Sequence, residues 1–491
     1  MNLQRIFSLL ITACLLAAFS AAAQDGQLDL SSAGDSLYPE LGSSGFDVQH
    51  YTIRLQTPMD ENAITAEAII TAVATADLEQ FNLDLVSLNI DNLTVNGESA
   101  EFSRSGSELM ILLPQPLSAG DSFEVVIQYH GMPTPTQDPS LGARLGWNFA
   151  DGLVYVVSEP DGAQTWFPAN DHPSDKATFT LEITVPEGFV VAANGVLEET
   201  TTQDGQTTFR WEMRQPMATY LATVNIDRYV EFESESAEGV PLRNYLPERY
   251  SRFNDRVFGR QGEMVDYFSN IFGPYPFDAY GAVVVDQPLG FALETQTISL
   301  FGSSILMGDA DDVVAHELAH QWFGNSISLE DWSDIWLNEG FASYAEWLWL
   351  EHTEGPDARD AAIAEAYGFM SGDGWQEFGL TNAQIRAELM SMGLTGSPDP
   401  DNLFNAAVYY RGGLTLHALR LVVGDDAFFE ILRTYAGQYT YGNATTDDFF
   451  AIAEAISGRN LEKFKRDWLY VIQIPSIPAM RLFPPNLGDS N

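Results

Sequence analysis

Cysteine is almost missing from this sequence: Cys14 is the only one in 491 residues. A disulfide framework is thereby excluded, and stability must come from burial. Lysine is nearly as scarce, with Lys176, Lys463 and Lys465 the only three. Basic residues number 23 against 69 acidic ones, a net charge of -46. Such a surface repels phosphate backbones, which excludes nucleic acid as a partner and disfavours anionic membranes. Beyond Phe19 no apolar run is long enough to cross a membrane, and no internal repeat is visible. What is present is a 45% hydrophobic and 12% aromatic composition, enough for a large core and incompatible with general disorder. The length exceeds one ordinary domain and suggests two to four. The acidity fits either salt adaptation or a plain acidic secreted protein, and thirty Phe suit a strong halophile poorly.

Residues 1–23 read as a secretory signal peptide. Arg5 supplies the positive region, Phe7 to Phe19 the short apolar one, and Ala21-Ala22-Ala23 a small-residue cleavage site. A secreted, periplasmic or extracellular location is therefore expected. Lipid anchoring at Cys14 is the disfavoured rival, because the apolar run continues past it. Residues 24–45 are rich in Ser, Gly and Asp and read as a flexible leader.

From 46 to 238 the pattern is that of an antiparallel β domain. Tyr51 to Gln56, Phe123 to Tyr129, Thr178 to Val185 and Thr208 to Met213 alternate, with turns such as Asn96-Gly97 and Asn194-Gly195 between such runs. From 239 to 491 the character changes. A strand at Leu242 to Tyr245, a helical stretch over Phe253 to Phe272 and strands at Gly281 to Asp286 and Phe291 to Phe301 precede a mostly helical remainder. Pro475 to Pro485 is expected as an extended tail on the surface. The fold class is α+β and multidomain, β domain first.

The chemistry concentrates in His316-Glu317-Leu318-Ala319-His320. On a helix, positions i and i+4 share a face, so the two imidazoles can grip one metal ion, and their chemistry suits zinc. Glu317 lies beside them, placed to take a proton from water. Eighteen residues after His320 comes Glu339, in a second helical pattern that can return it as the third ligand. Two His, one Glu and an open position mark a catalytic site rather than a structural one.

These residues, with Trp322, Gly324 and the run Trp336-Leu-Asn-Glu-Gly-Phe-Ala342, resemble the zinc aminopeptidase N family of gluzincins, which includes leukotriene hydrolase. The resemblance extends from about Tyr51 to Pro478. It implies a saddle-like β domain followed by a thermolysin-like catalytic domain, with one Zn2+ per chain. It also implies a substrate-binding edge strand at Ala292-Leu293-Glu294, where Glu294 binds the substrate's free amine, and a second amine contact at Glu159. Tyr409, in Tyr409-Tyr410-Arg411-Gly412, corresponds to the family's oxyanion donor. Asp171, Pro173 and Lys176 are structural in this reading, and His172 a surface or interface residue. The large helical domain that follows the catalytic one in many relatives has no counterpart here, so an open site is expected. The implied activity is release of N-terminal residues from peptides by a zinc-dependent peptidase, acting as a monomer. A zinc endopeptidase, an epoxide hydrolase and a non-catalytic peptide-binding module are the alternatives.

Overall fold

The computed structural model describes residues 30–308 and 310–487, so the expected signal peptide at 1–23 lies outside the described residues. Alternation of apolar and polar residues builds the first half. Ile64–Ala74 buries every second side chain, the signature of a strand with one face on a core. It lies in an eight-stranded sheet whose order is Val196–Gln203, Gln206–Met217, Ala177–Pro186, Phe46–Gln56, Ile64–Ala74, Ser122–Gly131, Asn89–Val95, Glu98–Ser99. The sheet is antiparallel except for one pair: Phe46–Gln56 runs parallel to Ala177–Pro186. A five-stranded antiparallel sheet carries Leu153–Val157, which leads directly into Glu159. A three-stranded sheet completes the domain.

At the expected division, 238/239, the chain runs within one sheet. Tyr229–Glu235 pairs antiparallel with Pro241–Pro247, which continues parallel into Tyr280–Val285 and Ser299–Gly302. The strand Tyr229–Glu235 thus belongs to the sheet of the second domain, and 238 falls inside a hairpin. Alternation identifies a strand but not the sheet it joins. The helical stretch over 253–272 is two helices, Asn254–Phe258 and Gln261–Phe272. The expected single strand over 291–301 is also two, Ala292–Leu293 and Ser299–Gly302, folded back antiparallel. The bend between them contains Glu294 and Thr297, the latter at φ 68°.

The second domain's helices include Asp311–Ala319, Trp336–Glu354 and Gly412–Val423. Trp336–Glu354 is apolar nearly all round and buries Trp336, Phe341, Trp347 and Trp349, as an internal helix must. Each such large side chain contributes about 1.5–3 kcal/mol. The tail is less extended than expected: Ile477 and Leu482 bridge around Pro478–Met480.

The leader is not loose where it is described. Asp35 is buried and accepts hydrogen bonds from the amides of Leu37 and Tyr38, while Ser36 bonds Asp331 and the Tyr38 hydroxyl donates to the Pro400 carbonyl. Polar composition suggested mobility, but Ser36 and Tyr38 bond partners in the second domain and Asp35 is itself buried.

Candidate active site

Helix Asp311–Ala319 begins with Asp311 and Asp312, which suit its positive N-terminus, and ends against the site. His316 lies in its last turn and His320 follows its end with helical dihedrals, so the i, i+4 relation survives. The two imidazole rings lie 4.8 Å apart. Glu339, in the first turn of Trp336–Glu354, brings Oε2 to 3.2 Å from His316 Nε2 and 3.6 Å from His320 Nε2. All three residues are buried.

The opposite ring nitrogens are fixed. His316 Nδ1 lies 2.6 Å from Glu346 Oε1, and His320 Nδ1 lies 3.1 Å from the Phe323 carbonyl. Both Nε2 atoms therefore point at one spot shared with Glu339, the arrangement that orients histidine ligands around a metal. Gly324 holds the turn beyond His320 at φ 122°, where a Cβ would stand 3.3 Å from Asn338 and from His320 Nδ1. Glu346 was missed by the sequence reading. Its only signal is its place two turns beyond Glu339 on the same helix face, shared with other acids in an acidic chain.

Electrostatics follow from packing six ionisable groups out of water. Burial pushes the Glu317 carboxyl up to about 8 against the pull of both imidazoles. Burial opposes protonation of His320, but Glu294 and Glu339 outweigh it and raise it to about 9. Burial would raise Glu339, yet His320 and His316 hold it at about 2. Four carboxylates and two neutral-capable imidazoles around one point suit a divalent cation. The donor set of two imidazoles and one carboxylate, each nitrogen already oriented, fits zinc.

Glu317 projects beside this centre with Oε2 free of any protein partner. Tyr409 comes from the π-helical turn Ala407–Arg411, and its ring stacks on that of His316 at 5.9 Å and 18°. Tyr410 points away, is 44% exposed and packs on Phe369. Arg411 donates to the carbonyls of Asp467, Val471 and Ile472, so it anchors the C-terminal segment. Glycines bring these parts together: a Cβ on Gly340 would lie 2.7 Å from the Gly412 Cα, and the reverse holds.

Glu159 and Glu294 complete the cluster. Each is 2% exposed, and their carboxylate oxygens lie within 4.8 Å of each other and of Glu339. Burial and the neighbouring carboxylates raise both; Oε1 of each has no hydrogen-bond partner, and that of Glu294 lies 3.8 Å from His320 Nδ1. Ala292 is half-buried on the edge strand, whereas the Leu293 side chain belongs to the core. His172 is buried rather than superficial, between Ser174 Oγ at 2.7 Å and Asp35 Oδ2 at 3.2 Å. Asp35 also accepts from the Trp332 amide, so His172 sits at a domain junction. Glu159, Glu294, Glu317 and Glu339 are buried, and Ser140 Oγ of the β domain accepts from the Phe404 amide across the domains.

Residues 47–221 match the peptidase M1 N-terminal domain and residues 257–468 the peptidase family M1 domain. An M1 zinc metallopeptidase from Deinococcus radiodurans is 31% identical, with a TM-score of 0.80 covering 91% of this chain and 98% of that one. Another structure of an M1 zinc metallopeptidase from that organism, 32% identical with a TM-score of 0.80, is bound to Tyr-Ser-Ala substrate and covers 91% of this chain and 99% of that one. The probable aminopeptidase 1 of Saccharolobus solfataricus is 25% identical over 433 residues, 84% of this chain and 52% of that protein. Its leucyl aminopeptidase is 26% identical over 430 residues, 83% of this chain and 51% of that protein. The chain spans about half the length of these curated relatives. With both domain matches in order, a structural relative matched almost end to end, and the His316, His320, Glu339 centre inside the second match, the chain belongs to the M1 peptidase family.

Proposed function

We propose that this chain is a zinc-dependent aminopeptidase that removes N-terminal residues from peptides. The observation that carries the reading is the buried pair Glu159 and Glu294, each with a carboxylate oxygen that has no hydrogen-bond partner, beside the metal-ligand set. Two desolvated carboxylates demand a cation, and a substrate's terminal ammonium answers with charge-assisted hydrogen bonds. A chain lacking a free amine at that depth leaves them uncompensated, which is the basis of exopeptidase selectivity. The Tyr-Ser-Ala complex of the structural relative supports peptides as the substrate class.

His316, His320 and Glu339 would hold the zinc, which would supply polarisation of the scissile carbonyl and a lowered pKa for the attacking water. Glu317 takes the proton from that water and returns it to the leaving amine. The Tyr409 hydroxyl donates to the oxyanion that develops on the carbonyl. Glu294 and Glu159 fix the amine and thereby the register of the scissile bond.

The charged n-region, apolar stretch and Ala-rich site of residues 1–23 support export, which N-terminal sequencing of the mature protein tests. For the reaction, chelation should abolish hydrolysis. Glu317→Gln should lower kcat by at least roughly 10²-fold while zinc content, read by metal analysis, stays at one per chain. Substantial turnover in that variant would remove Glu317 from the proton-transfer role.

A further inference from the structure

Lys176 precedes the strand Ala177–Pro186 in the β domain, yet its ammonium lies in the second domain's territory. Nζ donates to the carbonyl of Asn325 at 2.8 Å, of Ser326 at 2.9 Å and of Gly442 at 3.4 Å. Three N–H groups thus meet three main-chain acceptors, and no carboxylate forms an ion pair with it among the described residues. Two of those acceptors belong to the turn that leaves the metal helix. That turn is tied back to the helix by Asn325 N to His320 O at 3.0 Å and Ser326 N to Gln321 O at 3.1 Å.

Asn325 faces two ways. Its carbonyl is held by Lys176, and its side-chain Nδ2 donates to the Glu294 carbonyl at 2.7 Å. Gln321 of the same turn also reaches the Glu294 carbonyl at 3.1 Å and takes the Thr297 amide on its own oxygen at 2.8 Å. Asn325, Ser326, Gln321, Glu294 and Thr297 are all buried and Lys176 is part-buried, so water does not easily substitute for a lost bond between them. In a buried network of this kind, a member that is lost leaves the next one along free to relax.

We infer that Lys176 is a positioning residue, fixing from the β domain the turn that carries Asn325 and, through Asn325, the backbone of Glu294 on which amine recognition depends. This rests on the aminopeptidase reading above. It also gives the β domain a second task there. Glu159 supplies one carboxylate directly, and Lys176 aligns the other from across the domain boundary.

A merely structural lysine would lower stability and the active fraction alike for every substrate. A positioning lysine acts on KM for free amines. The test compares Lys176→Met, Asn325→Ala, the double variant and Asn443→Ala, all zinc-loaded. Asn443 joins the same loops through Pro173 and Leu329 without touching Asn325, so it controls for domain packing. Expected for Lys176→Met and Asn325→Ala is a KM for free-amine peptides raised by at least about tenfold, kcat within about threefold and unchanged zinc content. The double variant should be little worse than either single one, because both break the same link. Asn443→Ala should leave KM unaltered. Calorimetric titration of L-leucine amide into each variant carrying Glu317→Gln reads the same affinity loss without turnover. If Lys176→Met fails to fold, Asn325→Ala carries the test alone. Unchanged KM and affinity in Asn325→Ala, or a KM rise reproduced by Asn443→Ala, would overturn the assignment. Failure of the aminopeptidase reading itself is visible separately, in the wild type, as equal hydrolysis of free and N-acetylated substrates.

Discussion

Tyr409 and Tyr410 are neighbours with opposite surroundings, and one residue of register separates a ring stacked on His316 from a surface ring. The π-helical turn explains this, since an extra residue per turn reorients successive side chains and such turns occur at functional sites. Removing the hydroxyl of Tyr409 leaves the stacked ring on His316, so folding and metal binding should survive. Tyr409→Phe is expected to lose about 10²- to 10³-fold in kcat with little change in KM, roughly 3 to 4 kcal/mol of transition-state stabilisation. Tyr410→Phe should be nearly silent. Steady-state kinetics of the two variants side by side decide it; a crippled Tyr410→Phe would place the donor one residue away. His316, Glu317, His320 and Glu339 were legible because helical spacing and chemistry coincide there. Glu346 was not, because its role appears only when His316 Nδ1 reaches it.

Among elements, the crossing of Trp336–Glu354 with the turn before Gly412–Val423 sets the distance between Glu339 and Tyr409. Gly340 and Gly412 meet backbone to backbone, leaving no room for a methyl group on either. Gly412→Ala should therefore force the helices apart, destabilise the protein by about 1–3 kcal/mol and lower kcat by at least roughly tenfold. Urea denaturation and kinetics on the purified variant measure the two effects, and an unchanged kcat would mean that the crossing does not set the site. The strands of the β domain were legible from alternation, but their partners were not. Tyr229–Glu235 joined the second domain's sheet because pairing is a long-range choice. Glu294 was expected within one strand; the fold instead places it in a bend held by Gln321 and Asn325, residues distant in sequence.

For the whole molecule, the acidity has a stability consequence. Burial pushes the carboxyls of Asp171 and Asp175 up to about 7 from their ordinary 3.8, and Asp84 beside Asp171 is raised as well. A carboxyl raised in the folded state favours folding fully below its unfolded value and loses that contribution as pH rises through the folded one. Stability should accordingly fall between about pH 4 and pH 7, by on the order of a few kcal/mol, and self-repulsion at a net charge of -46 acts in the same direction. Lys176, pushed down to about 7 by burial, works the other way only above that value. Urea midpoints of the zinc-loaded protein at pH 5 and pH 7.5 test this, and Asp175→Asn should flatten the difference. A midpoint that rises with pH would contradict it. The order of domains and the metal centre were readable because each rests on local periodicity. The packed leader was not, since Asp35 finds His172 and Trp332 only in the folded molecule.

The role proposed for the buried Glu159 and Glu294 pair is to restrict hydrolysis to peptides with a free amine. Its most direct test is kcat/KM for one peptide with a free and with an acetylated N-terminus, in the wild type and in Glu294→Ala. A free-to-acetylated ratio of at least about 10³ is expected in the wild type, collapsing by at least about tenfold in Glu294→Ala with zinc retained. Equal rates on both peptides in the wild type would contradict it.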